Sequence, residues 1–254
     1  MTVVRVGMLG LGEAGGAIAA DLRAAGADVR GFDPDPATDP DAPDTRAAVA
    51  GADVVVSLTT AAEALVAARA AVPALAPGQV YADANTSGAA LKRELAAIVE
   101  ATGAAFADVA LMAPVPGRGL RTPALVSGGG AGVFGSVLGP LGMPVTVLDA
   151  PAGDAATRKL LRSVGWKGVA AVVCEALAAA RAAGLEDCVR GELLDLLASA
   201  DEDTLERMEQ GSRRHAARRA HEMADVAALL RELGVSSHMS DAARAQLEEL
   251  RDDA

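Results

Sequence analysis

Aromatic side chains are nearly absent, at 2% of the 254 residues, and there are only two cysteines. Cys174 and Cys188 fit no metal-ligand spacing and form no CxxC pair, so neither a disulfide framework nor a thiolate metal site is expected. Cys174 falls in an apolar helical run and reads as a buried small hydrophobe, with a reducing cytoplasm as the natural compartment. Basic excess is lacking too. The formal charge of −11 argues against a nucleic-acid partner, which would need a basic face. Charged residues such as Lys159, Arg162 and Lys167 interrupt the longest apolar stretches, so no membrane partner is expected. The opening MTVVRVGMLGLG has no basic segment followed by a cleavage site and does not read as a leader. No histidine pair has metal-ligand spacing, so no metal is expected, and no Ser/His/Asp set suggests a hydrolase. Half the chain is apolar and much of that is alanine, which favours helices because it loses no side-chain entropy in them.

The hydrophobic pattern divides the chain. Short apolar runs at 3–9, 29–33, 52–58, 79–84, 104–111, 123–128 and 145–149 read as strands. Helical spacing appears at 12–25, where Ala14, Ile18, Ala19 and Leu22 share one side, and again at 61–72, 88–102 and 130–139. Strands alternating with helices imply parallel βαβ units, hence an α/β fold with a doubly wound, Rossmann-like sheet. From about residue 154 the strands cease. Helices are expected at 155–183, 186–199, 202–233 and 239–251, the first carrying Leu160, Val164, Ala171 and Leu177 in its apolar pattern. The APAG turn at 150–153 suggests two domains, 1–150 and an all-α domain at 151–254. The Pro/Asp-rich segment 33–44 reads as an exposed loop.

Gly10-Leu11-Gly12-Glu13-Ala14-Gly15 is G-x-G-x-x-G between the first strand and first helix, and Asp33 ends the next strand. Each part has a role in dinucleotide binding. Gly10 allows the tight turn, Gly12 admits a pyrophosphate to the backbone, and Gly15 lets the helix pack on the strand. The helix start offers N–H groups and a partial positive charge to the phosphates. Asp33 would accept hydrogen bonds from ribose hydroxyls and repel a 2′-phosphate, which favours NAD while leaving NADP open. Glu13 would have to point outward. Thr59, following the third strand, joins the cofactor candidates.

Four segments in order resemble the β-hydroxyacid dehydrogenase family, which includes the 6-phosphogluconate and 3-hydroxyisobutyrate dehydrogenases. GLGEAGGAIAADL looks like its cofactor loop, and Asp83-Ala84-Asn85-Thr86-Ser87 like its D-x-S-T substrate segment, with Asn85 replacing the first hydroxyl residue. Asp108-Val109-Ala110-Leu111-Met112-Ala113-Pro114 stands where the family has D-A-P-V-S-G-G. Gly153 followed by Lys159 resembles the segment that carries the catalytic lysine. GLGEAG, APVPGRGLRTPALVSGG and SVGWKG are similar to a subgroup with a short helical C-terminal domain. The family's Ser-Gly-Gly binds a substrate carboxylate; here Met112-Ala113-Pro114 takes its place, and Pro114 has no N–H.

The resemblance implies hydride transfer between a short-chain hydroxy acid and its oxo acid, with Lys159 as general acid/base. Arg158 and Arg162 are the cationic neighbours that would favour its neutral form. Ser163, one turn on, would orient it or bind substrate, and Lys167 either lines the same cleft or snorkels. Asn85, Thr86, Met112 and Ala113 are the substrate candidates; turning the chain and capping the helix at 88 is the alternative, compatible role of Asn-Thr-Ser-Gly. Arg118 and Arg121 flank a Gly/Pro-rich loop and are either anion ligands or solvated. In RRHAARRAHEM, His221 loosely matches the lysine of a family cofactor segment; a solvated or intersubunit face is the simpler reading. The rival functions are reduction of an imine or other carbonyl, and a non-catalytic NAD(P) sensor. A homodimer through the C-terminal half is expected, because Ala-rich helices there expose more apolar face than a short cap can bury.

Overall fold

The computed structural model describes residues 3–252. Within them the chain forms two compact units, divided between Arg162 and Ser163. The first is built on a seven-stranded sheet of order β2-β1-β3-β4-β5-β6-β7. Its strands are β1 (Arg5–Leu9), β2 (Asp28–Phe32), β3 (Val54–Ser57), β4 (Val80–Asp83), β5 (Ala105–Leu111), β6 (Ala124–Ser127) and β7 (Val145–Val147). Helices α1 (Glu13–Ala24), α2 (Thr45–Val49), α3 (Ala64–Ala71), α4 (Ala89–Glu100) and α5 (Ala131–Leu138) cover it. Strand alternation supplies both cores. Val6, Met8, Val54, Val56, Val80 and Ala82 pack on one face with Ile18 and Leu22 of α1 and Phe134 of α5. Leu9, Val55, Tyr81 and Phe106 pack on the other with Val49, Ala68 and Leu95 of α2, α3 and α4. Near-continuous apolar strands follow from burial on both faces.

One pairing departs from the all-parallel expectation. β5 and β6 run antiparallel, Asp108 opposite Ser127 and Leu111 opposite Ala124. The connection between them holds only a 3-10 turn (Gly119–Arg121), and a parallel pair would need a crossover helix. The loop is fastened to α1 instead, where Asp21 accepts the N–H of Leu120 at 2.9 Å. Helix α2 lies in a stretch read without structure. Asp44 caps it, accepting the N–H of Ala47 at 2.7 Å.

The long helix α6 (Asp154–Ala182) begins in the first unit and runs into the second. By length and composition it is apolar enough to cross a membrane, contrary to the expectation that charges interrupt every such run. The second unit adds α7 (Glu186–Ala198), α8 (Glu202–Arg214), α9 (Ala216–Glu232) and α10 (His238–Asp252). The expected single helix at 202–233 is two helices. His215, at φ −118° and ψ 25°, ends α8 and starts α9. Cys174 is exposed rather than buried, because α6 turns Leu177 and Ala180 inward and leaves its other faces uncovered. Leu160 and Val164, expected in the apolar pattern, are exposed for the same reason.

Candidate functional site

Reversal of strand order at β1 places the ends of β1 and β3 side by side, and open α/β sheets bind ligands at that crevice. A cleft of about 490 Å³ opens there, lined by Gly10, Gly12, Asp33, Pro34, Thr59, Thr60 and Val66, among others. Gly10 holds φ +94°, and its N–H donates to Phe32 O at 2.9 Å. A β-carbon on Gly15 would lie 2.0 Å from Gly10 O, so this glycine is required for helix and turn to meet. A β-carbon on Gly12 would meet no protein atom within 4 Å and would project into open space at the start of α1.

Gly12 is the N-cap of α1 and supplies no side-chain cap, so the first-turn N–H groups of Glu13, Ala14 and Gly15 have no intrahelical partner. Asp33 Oδ2 accepts the Leu11 N–H at 2.7 Å and Oδ1 accepts the Asp35 N–H at 2.9 Å. These two bonds fix the carboxylate at the cleft. Glu13 is exposed, Ala14 packs against the core, and the Leu11 side chain lies over Gly31. The residues therefore fit a dinucleotide: a glycine with room for a phosphate, unpaired helix-start N–H groups, and a fixed carboxylate beyond.

The substrate candidates gather at the ends of β4 and β5. Lys159, half-buried on α6, donates from Nζ to Thr86 Oγ1 at 2.9 Å. Arg162, three residues on, donates from Nη2 to Met112 O at 2.8 Å. Ala113 is half-buried beside Met112. Asn85 is buried; its Nδ2 donates to Asp83 Oδ1 at 2.6 Å and to Ser57 Oγ at 3.4 Å. Its Oδ1 lies 3.5 Å from Thr59 Oγ1, joining the cofactor cleft to the substrate segment. Neither Asn85 nor Thr86 caps α4, whose N-cap Gly88 has no side-chain partner. Arg118 and Arg121 are exposed, as is Lys167. Ser163, one turn beyond Lys159, is half-buried at the start of the second unit. Among the described residues no cluster of His, Cys, Asp or Glu could hold a metal.

Beneath Asn85 lies a charged group that sequence reading passed over. Lys92 on α4 is 1% exposed, and its Nζ donates to Asp83 Oδ2 at 2.6 Å and pairs with Asp108 Oδ1 at 3.2 Å. Burial pushes the Asp83 carboxyl above its ordinary value, against the pull of Lys92 and Asn85. The signal was in the sequence. Lys92 takes the same helical face as Leu95, Ala96 and Val99, a stripe otherwise apolar.

Residues 5–132, half of the chain, match the family described as the NAD binding domain of 6-phosphogluconate dehydrogenase. Residues 180–250 match a domain of unknown function, DUF1932. No curated protein matches the chain. A conserved hypothetical protein from Sinorhizobium meliloti is 29% identical, covering 97% of this chain and 88% of that one at a TM-score of 0.65. A conserved protein of unknown function, reported to resemble 3-hydroxyacid dehydrogenases in structure, is 30% identical over 98% of this chain and 97% of its own, also at 0.65. An imine reductase from Aspergillus terreus, solved with NADPH4 and dibenz[c,e]azepine, shares the fold at a TM-score of 0.82 and 22% identity, covering 100% of this chain and 95% of that one. Fold and glycine loop together define an NAD(P)-dependent dehydrogenase or reductase. The chain belongs to the family of the 6-phosphogluconate dehydrogenase NAD-binding domain.

Proposed function

We propose that this protein interconverts a small hydroxy acid and its oxo acid with NAD(H), Lys159 acting as general acid/base. The observation that carries this reading is the 2.9 Å bond from Lys159 Nζ to Thr86 Oγ1 at the carboxyl edge of the sheet. Oxidation of a carbinol removes a hydride from carbon and a proton from oxygen as the C=O bond forms. Bound NAD(H) supplies the nicotinamide that accepts or returns the hydride. Lys159 in its neutral form takes the hydroxyl proton, and as ammonium returns it in the reverse direction. Thr86 orients the amine. Asn85, Thr86, Met112 and Ala113 shape the pocket, and Ser163 follows Lys159 one turn on along the same helix. Arg162 offers a guanidinium fork to the substrate carboxylate, replacing the N–H that Pro114 lacks. Gly10–Gly15 hold the pyrophosphate, with Asp33 and Thr59 toward the riboses, and Asp33 sets the preference for NAD.

A homodimer fits the exposed apolar residues of α6, where Val164 is 74% and Trp166 75% exposed. Two free, exposed cysteines suit the reducing cytoplasm. A second reading, imine reduction, draws on Ala113-Pro114 standing where the hydroxyacid enzymes place carboxylate-binding N–H groups. One experiment separates the two. Short-chain hydroxy acids, oxo acids and cyclic imines are screened with both cofactors by nicotinamide absorbance. Turnover of acids alone supports the first reading, and turnover of imines alone replaces it with the second.

A further inference from the structure

We propose that Lys92 is a positioning residue for Lys159: the buried Lys92–Asp83–Asp108 cluster fixes both the helix that carries the amine and the segment that receives it. This rests on the acid/base reading of Lys159. The cluster has two arms. In one, Lys92 Nζ donates to Asp83 O at 2.7 Å and to Asp83 Oδ2 at 2.6 Å, while Asp83 Oδ1 accepts from Asn85 Nδ2 at 2.6 Å. Asn85 is bonded in sequence to Thr86, the partner of Lys159. In the other arm, Asp108 Oδ1 pairs with Lys92 at 3.2 Å, and Oδ2 accepts the N–H groups of Gly153 and Ala156, each at 3.0 Å. Ser127 Oγ donates to the same oxygen at 3.2 Å and accepts the Ala155 N–H at 3.1 Å. The first turn of α6 is thus capped by side chains of β5 and β6, and Lys159 stands in the next turn. At the start of α4 the two helices meet closely. A β-carbon on Gly153, at φ +102°, would lie 3.0 Å from Ala89 Cβ.

Stability alone is a weak reason for such a cluster. One ammonium and two carboxylates, all at most 1% exposed, are costly to desolvate. Apolar side chains of similar volume often serve a core as well or better. What an apolar core cannot provide is a polar link between two backbone segments. Lys92 donates hydrogen bonds to Asp83 on one side and forms an ion pair, not a hydrogen bond, with Asp108 Oδ1 on the other. Here the segments are the two that bring Thr86 and Lys159 within 2.9 Å.

The chain's lysines are Lys92, Lys159 and Lys167, which makes amine labelling a direct probe of geometry. The intact protein is acylated briefly with acetic anhydride, and the Lys159:Lys167 labelling ratio is read by peptide mass spectrometry. In Lys92→Met the ratio is expected to rise by about threefold, as for loss of one hydrogen bond. NADH affinity should stay within about twofold, because the glycine loop and Asp33 share no partner with the cluster and the one link to the cofactor cleft, Asn85 to Thr59, is a long 3.5 Å contact. Lys92→Arg, which keeps the charge, should hold the wild-type ratio. A Lys159:Lys167 ratio unchanged or lowered in folded Lys92→Met overturns the proposal, since a purely structural role would lower only the melting temperature. If Lys92→Met does not fold, Ser127→Ala decides. It removes the hydroxyl between Asp108 and Ala155 without unpairing a charge, and an unchanged ratio there also overturns the proposal. The labelling needs no substrate, so its failure is distinct from a failure of Lys159 in catalysis.

Discussion

Asp33 Oδ2 accepts the N–H of Leu11 at 2.7 Å, so the carboxylate just past β2 is held by the glycine loop. The bond fixes a negative charge at the cleft. The segment that follows adds Asp35, Asp39, Asp41 and Asp44, and Asp41 is already paired with Arg23 at 2.7 Å. A 2′-phosphate would meet repulsion there. NADH should therefore bind more tightly than NADPH by about tenfold or more, which is about 1.4 kcal/mol. Asp33→Asn should narrow the gap by weakening NADH and relieving NADPH. Fluorescence titration of both reduced cofactors measures it, and equal affinity in the wild type refutes the role of Asp33.

Gly12 and Gly15 should separate binding from folding. A β-carbon at Gly12 meets no protein atom, so Gly12→Ala should leave the melting temperature nearly unchanged. The same methyl occupies the space where the pyrophosphate would approach, so NADH affinity should fall by about tenfold or more. Gly15→Ala places a β-carbon 2.0 Å from Gly10 O, and backbone cannot yield as a side-chain tip can. It should lower the melting temperature clearly and lose binding as a consequence. Thermal melts with and without NADH distinguish the two. Similar melts for both variants would contradict the packing described.

Much of this was legible in the sequence, for physical reasons. A glycine loop between a buried strand and an amphipathic helix is read from local pattern, and α1 closes as expected with Ile18, Ala19 and Leu22 inward. Other features depended on what the local pattern does not carry. The antiparallel β5–β6 pair follows from a connection that lacks a helix, and its Gly/Pro-rich residues 112–123 could have signalled that. The break at His215 lies in a helical run with neither Gly nor Pro at the junction, so nothing marked it. Cys174 and Val164 are apolar-patterned yet exposed, because periodicity states that a face seeks cover and not where the cover comes from. Lys92 was missed because a lysine is read as solvated by default, although its place on an apolar stripe pointed to a buried partner.

The exposed face of α6 leads to a prediction on assembly. Leu161, Val164, Trp166, Val169 and Val172 are all exposed along a single helix. Exposed apolar side chains gathered on one helix are what a second copy of the chain would cover. Sedimentation equilibrium at micromolar concentration should give twice the chain mass. Val164→Arg, placing a charge on that face, should shift the equilibrium toward monomer. A wild-type protein that is monomeric throughout refutes the dimer.

Acid should loosen the second unit before the first. In the helical unit, the Asp201 carboxyl is held below its ordinary value by hydrogen bonds from Thr204, side chain and backbone. Asp241 is held low by the Ser237 hydroxyl and by Arg231. Partial burial works to raise Glu175, but hydrogen bonds from Ser240 and Met239 more than offset it. A lowered carboxyl contributes stability above its unfolded value and loses it as pH falls through its folded value. Asp83 has the opposite sign. Its raised value means that protonation favours the folded sheet unit, and its contribution is lost as pH rises. Below about pH 4, amide protection at Thr204, Met239 and Ser240, taken relative to the intrinsic exchange rate at each pH, should fall while amides of β4 and β5 stay protected. Simultaneous loss in both units would contradict this assignment.

Lys159→Met gives the sharpest test of the chemistry. Methionine keeps the length of the side chain and removes the amine, along with its bond to Thr86. Cofactor affinity should hardly change, because the glycine loop and Asp33 share no partner with Lys159. Turnover of a substrate found in the screen should fall by about 10²–10⁴-fold, the usual worth of a positioned acid/base. The pH profile should lose one limb. If Lys159 is the acid/base, oxidation needs the neutral amine and should quicken with rising pH, reduction needs the ammonium and should slow, and the variant should be flat in either range. Near-normal turnover in Lys159→Met would reduce the lysine to a ligand of Thr86. Loss of NADH binding together with turnover would instead trace the defect to the fold of the α6 start, which the Gly153 and Ala156 contacts to Asp108 would then report by faster amide exchange.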